Sequence, residues 1–168
     1  MEFKEKTVET IGKNQMTELD ETDRRLLMAL QSDGRITHQE LGDRIHLSRA
    51  ACAERVKRLR DHGVIAGYTV LLDPAEVGLP LLIFVEVSLD RTTNASIVDF
   101  AAAVRKTPEI LECHMVAGGF DYLIKARVKD MAAYRNLLGE TLIAMPGVRE
   151  SRTYAVVEEV KMTTEVPV

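Results

Sequence analysis

The sequence predicts an α+β chain in two parts, three short helices followed by a four-stranded antiparallel sheet that carries two helices. Three observations predict it. Between Leu19 and Asp73, short apolar-periodic segments are each opened by a capping residue and closed by a turn. After Pro80 the pattern becomes strand, helix, strand, and it occurs twice around the turn "GGFD". In a chain of formal charge -4, six basic residues (Arg44, Arg49, Arg55, Lys57, Arg58 and Arg60) accompany one acidic residue, Glu54, within a single short stretch.

Residues 1 to 18 are charged and polar with little periodicity, and read as a flexible leader. The first helix begins at Asp20, with Asp23 set near the first-turn amides, and buries Leu26, Leu27 and Leu30 before "SDG" stops it. The second opens on "THQE", a capping box of Thr37 and Glu40, and buries Leu41 and Ile45 over two turns. The third follows "HLS" with Ser48 as its N-cap, Cys52, Val56 and Leu59 as its inner face, and Gly63 as its stop. Residues 64 to 73, "VIAGYTVLLD", alternate as a bent strand or hairpin, a wing that completes a domain over 19 to 73. The "DPAEVGLP" stretch breaks the pattern and sets a linker at 74 to 80.

The second domain, 81 to 160, is predicted as strands at 81 to 90, 110 to 117, 122 to 128 and 148 to 157, with a C-terminal tail at 161 to 168. Its helices fall at 95 to 106, on Ile97, Phe100, Ala101 and Val104, and at 131 to 145, on Leu137, Leu138, Thr141 and Leu142. Two β-α-β units joined by a hairpin describe a ferredoxin-like βαββαβ sheet with both helices on one face. The first strand is apolar on both alternating sets, Leu81, Ile83 and Val85 on one and Leu82 and Phe84 on the other. Its other face therefore needs cover, which a second copy of the sheet would supply.

The chemistry concentrates in the basic helix. A capped two-turn helix, a tight turn and a third helix have the spacing of a helix-turn-helix, whose last helix enters the major groove of double-stranded DNA by its N-terminal half. With Val56 centred inward, Ala50, Ala51, Glu54 and Arg58 turn outward and Arg55 and Lys57 flank them. Alanine methyls suit a thymine methyl, Glu54 a cytosine amino group, and arginines guanine edges or phosphates. The N-terminus at Ser48 can hold a phosphate, so the interface expected is Thr37, Ser48, Arg49, Ala50, Ala51, Glu54, Arg55, Lys57 and Arg58. The competing reading of a basic stretch is a solvated face, and the second helix and turn before it argue against that.

Catalysis is not expected. Cys113 and His114 are adjacent in a strand and so point to opposite faces. No metal-ligand spacing, phosphate-cradling glycine loop or cofactor motif appears, and no apolar run is long enough for a membrane span. With its two cysteines unpaired by spacing, the chain reads as cytoplasmic.

In "LDETDRRLLMALQSDGRIT", "LGDRIHLS" and "ERVKRLRDHGVIAGYTVLLDP", and again from "ECHMVAGGFDYLIKARV" to "VEEVK", the sequence resembles the Lrp/AsnC family of transcription regulators, most nearly its leucine-responsive branch. The resemblance covers almost everything after residue 18. It implies a winged helix-turn-helix joined to an amino-acid-binding domain, with homodimers formed through the sheets and assembled into octamers or larger on nucleoid DNA. It places the effector between adjacent dimers near the central turn. Carried onto this sequence, it assigns backbone groups at Gly118, Gly119 and Phe120, an ammonium partner at Asp121, and effector-response positions at Met115, Met131, Tyr154, Ala155 and Val156. Methionines and small apolar residues suit an aliphatic side chain, and turn amides suit a carboxylate.

Two departures stand out. "SRAA" replaces the proline and hydroxyl residues frequent after the serine, and Gly119 stands where near relatives carry an acidic residue, which leaves effector identity open. The alternative function is an amino-acid-binding or assembly module that does not touch DNA; salt-dependent DNA binding separates the two.

Overall fold

A computed structural model describes residues 18–90 and 94–168. The leader expected over 1 to 18 lies outside the described residues except for Glu18. The chain divides into two compact units: one runs as far as Val70 and also holds Thr163–Val168, and the other spans Leu71–Met162.

In the first unit, α1 (Glu21–Ser32), α2 (His38–Ile45) and α3 (Arg49–Asp61) pack around Leu26, Leu27, Leu41, Ile45, Cys52, Val56 and Leu59. Each fully buried leucine contributes about 1.5–3 kcal/mol, more than an exposed ion pair at about 0–1 kcal/mol, so apolar burial holds the three helices together. The helix starts are set locally. The Asp20 carboxylate accepts from Asp23 N–H at 2.7 Å while Asp23 accepts from Asp20 N–H at 3.3 Å, and Thr37 with Glu40 repeats the arrangement. Ser48 Oγ accepts from Ala51 N–H at 3.2 Å. His46 ends α2 in the left-handed region, at φ 61°, which gives the turn into α3 its abruptness.

The hairpin expected over 64 to 73 shows no strand pairing within the single chain. Gly63 takes φ 72°, Val64 N–H reaches Leu59 O at 2.9 Å, and Gly63 N–H reaches Arg60 O at 2.9 Å. This closing pattern is a Schellman motif that folds Val64 and Ile65 back onto the helical core. Residues 66–73 then run without strand pairing, with Tyr68, Val70, Leu71 and Leu72 exposed. An isolated hairpin is marginal in water, and here the residues that would start it are spent on closing α3.

The second unit is a four-stranded antiparallel sheet in the order β2-β3-β1-β4, formed by β1 (Leu81–Leu89), β2 (Ile110–Met115), β3 (Tyr122–Val128) and β4 (Val148–Ala155). Helix α4 (Asn94–Arg105) joins β1 to β2, and α5 (Met131–Asn136) leads into a π-helical turn, Leu137–Leu142, before β4. The π turn departs from the regular helix expected over 131 to 145; Ile143 N–H bonds to Leu138 O, five residues back, at 3.0 Å.

One sheet face is continuous core. Ile83, Val85 and Val87 of β1 and Tyr122, Ile124, Ala126 and Val128 of β3 pack on Phe100, Val104, Tyr134, Leu137 and Leu142. The opposite face is more polar than the first strand suggests. Leu82, Phe84 and Leu123 share it with Lys125, Glu112 and His114, and with Glu86, Arg152 and Tyr154. Lys125 Nζ bonds Glu112 at 2.8 Å and Tyr154 Oη donates to Glu86 at 3.0 Å. At one end of this face Arg127, its side chain 7% exposed, holds Glu159 through Nη2 at 2.7 Å.

Candidate functional site

The recognition surface follows from which stripe of α3 the core takes. Cys52, Val56 and Leu59 are buried, which leaves Arg49, Ala50, Glu54, Lys57, Arg58 and Arg60 exposed beside Ser48. Ala50, Glu54 and Lys57 recur at helical spacing and so share one face. Thr37 is exposed, but its hydroxyl donates to Glu40 at 2.8 Å and accepts Glu40 N–H, so it is committed to capping α2. The Thr37 N–H, which donates to Glu40 at 2.9 Å, and then the Thr37 hydroxyl hold the Glu40 carboxyl below its usual range. Ala51 is half-buried.

Arg55 and Arg58 differ from expectation. Their guanidinium groups turn toward α1: Arg55 Nη1 bonds Asp20 at 2.7 Å and Asp23 at 2.8 Å, and Arg58 Nη2 bonds both oxygens of Asp23 at 2.7 and 2.6 Å. Arg58, read as outward, is exposed, with its side chain 44% accessible, and its Nη2 also serves Asp23, a buried carboxylate that requires cations. Sequence reasoning finds in Asp23 only a cap. It also passes over Gly42, whose Cα lies against the turn between α2 and α3. A glycine inside a two-turn helix is the available signal.

The nine effector candidates fall into two groups. Met115 and the turn Gly118–Asp121 stand at one end of the sheet, where Asp121 N–H bonds Val87 O at 3.0 Å and Asp121 Oδ2 accepts from Leu89 N–H at 2.7 Å. Tyr154 and Ala155 pair with Phe84 and Ile83, and Val156 N–H bonds Leu82 O, at the other end. Met131 follows β3 at that same end, since Val128 pairs with Leu81. Leu82 and Val87 lie five residues apart on one strand, about 17 Å. The two groups therefore do not converge within one chain. Two clefts, one of about 310 Å³ around Arg60–Tyr68 and one of about 340 Å³ between α4 and β2, contain none of the nine.

Cys113 faces the core opposite Ile124 and His114 faces away opposite Leu123, and burial pushes the Cys113 thiol up to about 11. That thiol is protonated at neutral pH, and the imidazole on the other face cannot take its proton. Among the described residues no helix is long and apolar enough to cross a membrane.

A capped helix-turn-helix with an exposed polar and basic stripe, followed by a separate antiparallel sheet unit, defines a DNA-binding regulator rather than an enzyme. The comparisons agree: residues 19–60 match the AsnC-type helix-turn-helix domain and residues 82–166 match the Lrp/AsnC ligand binding domain. The chain belongs to the Lrp/AsnC family of transcription regulators.

It is 53% identical over 146 residues to the leucine-responsive regulatory proteins of Salmonella typhimurium and Escherichia coli K12, which covers 87% of this chain and 89% of each relative. It superimposes on a transcriptional regulator from Neisseria meningitidis, solved in complex with L-Met, with a TM-score of 0.86 and 41% identity, over 89% of this chain and 97% of that one. Escherichia coli AsnC shares the fold, with a TM-score of 0.82 at 21% identity over 89% of this chain and 99% of the other.

Proposed function

We propose that this chain is a sequence-specific regulator of transcription that works in the cytoplasm on nucleoid DNA and whose assembly responds to an amino acid. The observation that carries the DNA reading is the face of α3 left free by the core, with Ser48, Arg49, Ala50, Glu54 and Lys57 open to a groove. Ser48 and Arg49 would contact the phosphate backbone, and Ala50, Glu54 and Lys57 would lie against base edges.

For the effector, the separation of the nine candidates supports a site completed by another copy. The turn Gly118–Asp121 of one chain would meet a second group of residues from its neighbour, within a homodimer-based octamer or larger assembly. An aliphatic amino acid, leucine or methionine, suits the methionine and tyrosine side chains, and the named relatives and the L-Met complex support that class. An effector that binds one assembly more tightly than another shifts the population between them, and with it the spacing of half-sites held together.

The test is light scattering of the purified protein with each of the twenty amino acids, beside binding to a selected duplex across a salt series. A mass change with leucine or methionine, and DNA affinity that falls with salt, are expected. Masses and affinities indifferent to every amino acid would remove the effector mechanism.

A further inference from the structure

Asp23 stands in the first turn of α1 with its side chain 1% exposed, yet it carries no apolar function. Its two oxygens receive Arg55 at 2.8 Å, Arg58 at 2.7 and 2.6 Å, and Asp20 N–H at 3.3 Å. Asp20 adds a second carboxylate, 2.7 Å from Arg55 Nη1. Two guanidinium groups are thus matched by two carboxylates, and the cluster is locally neutral. Arg55 and Arg58 lie three residues apart and so project from one side of α3, the side that faces α1.

For a DNA phosphate to take over Arg55 Nη1 or Arg58 Nη2, that nitrogen would have to leave a carboxylate that is shut away from water, and Asp23 would keep one cation where it now has two. That exchange is unfavourable: Arg58 is exposed, as Arg49 and Lys57 are, but its charge is matched by the buried Asp23 carboxylate.

We infer that Asp23 is a positioning residue for DNA recognition: it withdraws Arg55 and Arg58 from the phosphate-binding charge of α3 and fixes the roll of that helix. The inference rests on α3 being the recognition helix, and it changes what the basic cluster means. Of six basic residues between Arg44 and Arg60, two are ion-paired to α1, and base discrimination falls to the small polar stripe of Ala50, Glu54 and Lys57. With Asp23 in place, non-specific attraction is kept low relative to base reading; without it, Arg58 would be released and Arg55 held by Asp20 alone, adding sequence-blind affinity.

The experiment uses the full-length protein, a duplex obtained by binding selection from a random library, and a scrambled duplex of the same composition. Affinity is measured against potassium chloride concentration, where each phosphate that a bound protomer no longer neutralises lowers the slope by about 0.9. Arg58→Ala is expected to lower the thermal midpoint and leave the slope unchanged, while Arg49→Ala lowers it by about 0.9. Asp23→Asn is expected to steepen the slope, by about 0.9 for Arg58 released while Asp20 still holds Arg55, and to reduce the ratio of selected to scrambled affinity.

A slope for Arg58→Ala that falls as it does for Arg49→Ala overturns the inference. So does an Asp23→Asn protein that folds and keeps both slope and ratio. Should Asp23→Asn fail to fold, the Arg58→Ala comparison still decides. Absence of salt-dependent binding by the unmodified protein would instead remove the recognition-helix reading itself, a different result from either of these.

Discussion

Gly42 lies against the backbone of Leu47 so closely that a β-carbon on it would stand 2.5 Å from the Leu47 carbonyl oxygen and 3.5 Å from Cys52 Sγ. Leu47 N–H also donates to Gly42 O at 2.9 Å, so the turn between α2 and α3 is drawn onto this glycine. A carbonyl inside a tight turn cannot give way as a flexible side chain would. Gly42→Ala is expected to cost about 1–3 kcal/mol in urea unfolding and to weaken DNA binding through a displaced α3. Gly139, where an added β-carbon meets nothing within 4 Å, is the contrast: Gly139→Ala should stabilise by about 0.4–1 kcal/mol. Equal stabilities for the two variants would remove the steric argument.

The acid limb of stability follows from the caps of α1 and α2. The Arg55 guanidinium, then Asp23 N–H, hold the Asp20 carboxyl below its ordinary 3.8, and Thr37 N–H and hydroxyl hold Glu40 below its ordinary 4.5. Because both values are depressed in the folded state, the unfolded chain binds more protons in acid. The contribution is complete above the ordinary values and is lost as pH falls through the folded ones. The thermal midpoint of the helical unit should be flat from neutrality to about pH 5.5 and decline below about pH 4.5. Glu40→Gln keeps the capping box and should decline less steeply; an unchanged acid limb would take Glu40 out of the account.

Arg127 and Glu159 give an ordering of two variants. The Arg127 side chain is almost wholly buried, with both Glu159 oxygens at 2.7 Å from Nη2 and the Pro80 carbonyl at 3.5 Å from Nη1. Glu159→Ala leaves a buried cation without its partner and is expected to cost about 1–3 kcal/mol. Arg127→Met removes the charge along with its need for a partner and should cost less. Denaturant midpoints for the two variants in the reverse order would contradict this.

Asp121 has a structural task that can be separated from effector contact. Its Oδ2 accepts from Leu89 N–H at 2.7 Å and ties the central turn to the end of β1. Asp121→Asn keeps an acceptor there and should leave stability within about 0.5 kcal/mol. If the carboxylate also meets an effector's ammonium group, titration calorimetry with leucine or methionine should record affinity weakened about tenfold or more. Undiminished affinity would confine Asp121 to the turn.

What the sequence disclosed tracks the range over which each determinant acts. The caps at Asp20, Thr37 and Ser48 act across three residues and are legible, as are strands whose alternation is read along one segment. The clamp of Asp23 on Arg55 and Arg58 spans 32 and 35 residues and depends on how α3 is rolled, which no local pattern encodes. The unpaired state of 64 to 73 within the chain has a related reason: "VIAGYTV" has the alternation of a strand, yet pairing requires a partner, and Val64 and Ile65 are claimed by the end of α3. The effector candidates can be named individually, but their division between opposite ends of the sheet becomes visible only once register is known.

The π-helical turn at Leu137–Leu142 has a consequence for how this chain compares with its relatives in length. In a regular α-helix, the loss of one residue rotates everything beyond it by about 100° and would carry Leu142 and Met145 away from the sheet. Here the helix already holds one residue in excess, with Gly139 in open space at its middle. Deleting Gly139 would turn the bulge into ordinary helix and leave the core side chains facing inward. A chain shortened by that one residue is therefore expected to keep this architecture, a change of length without a change of packing.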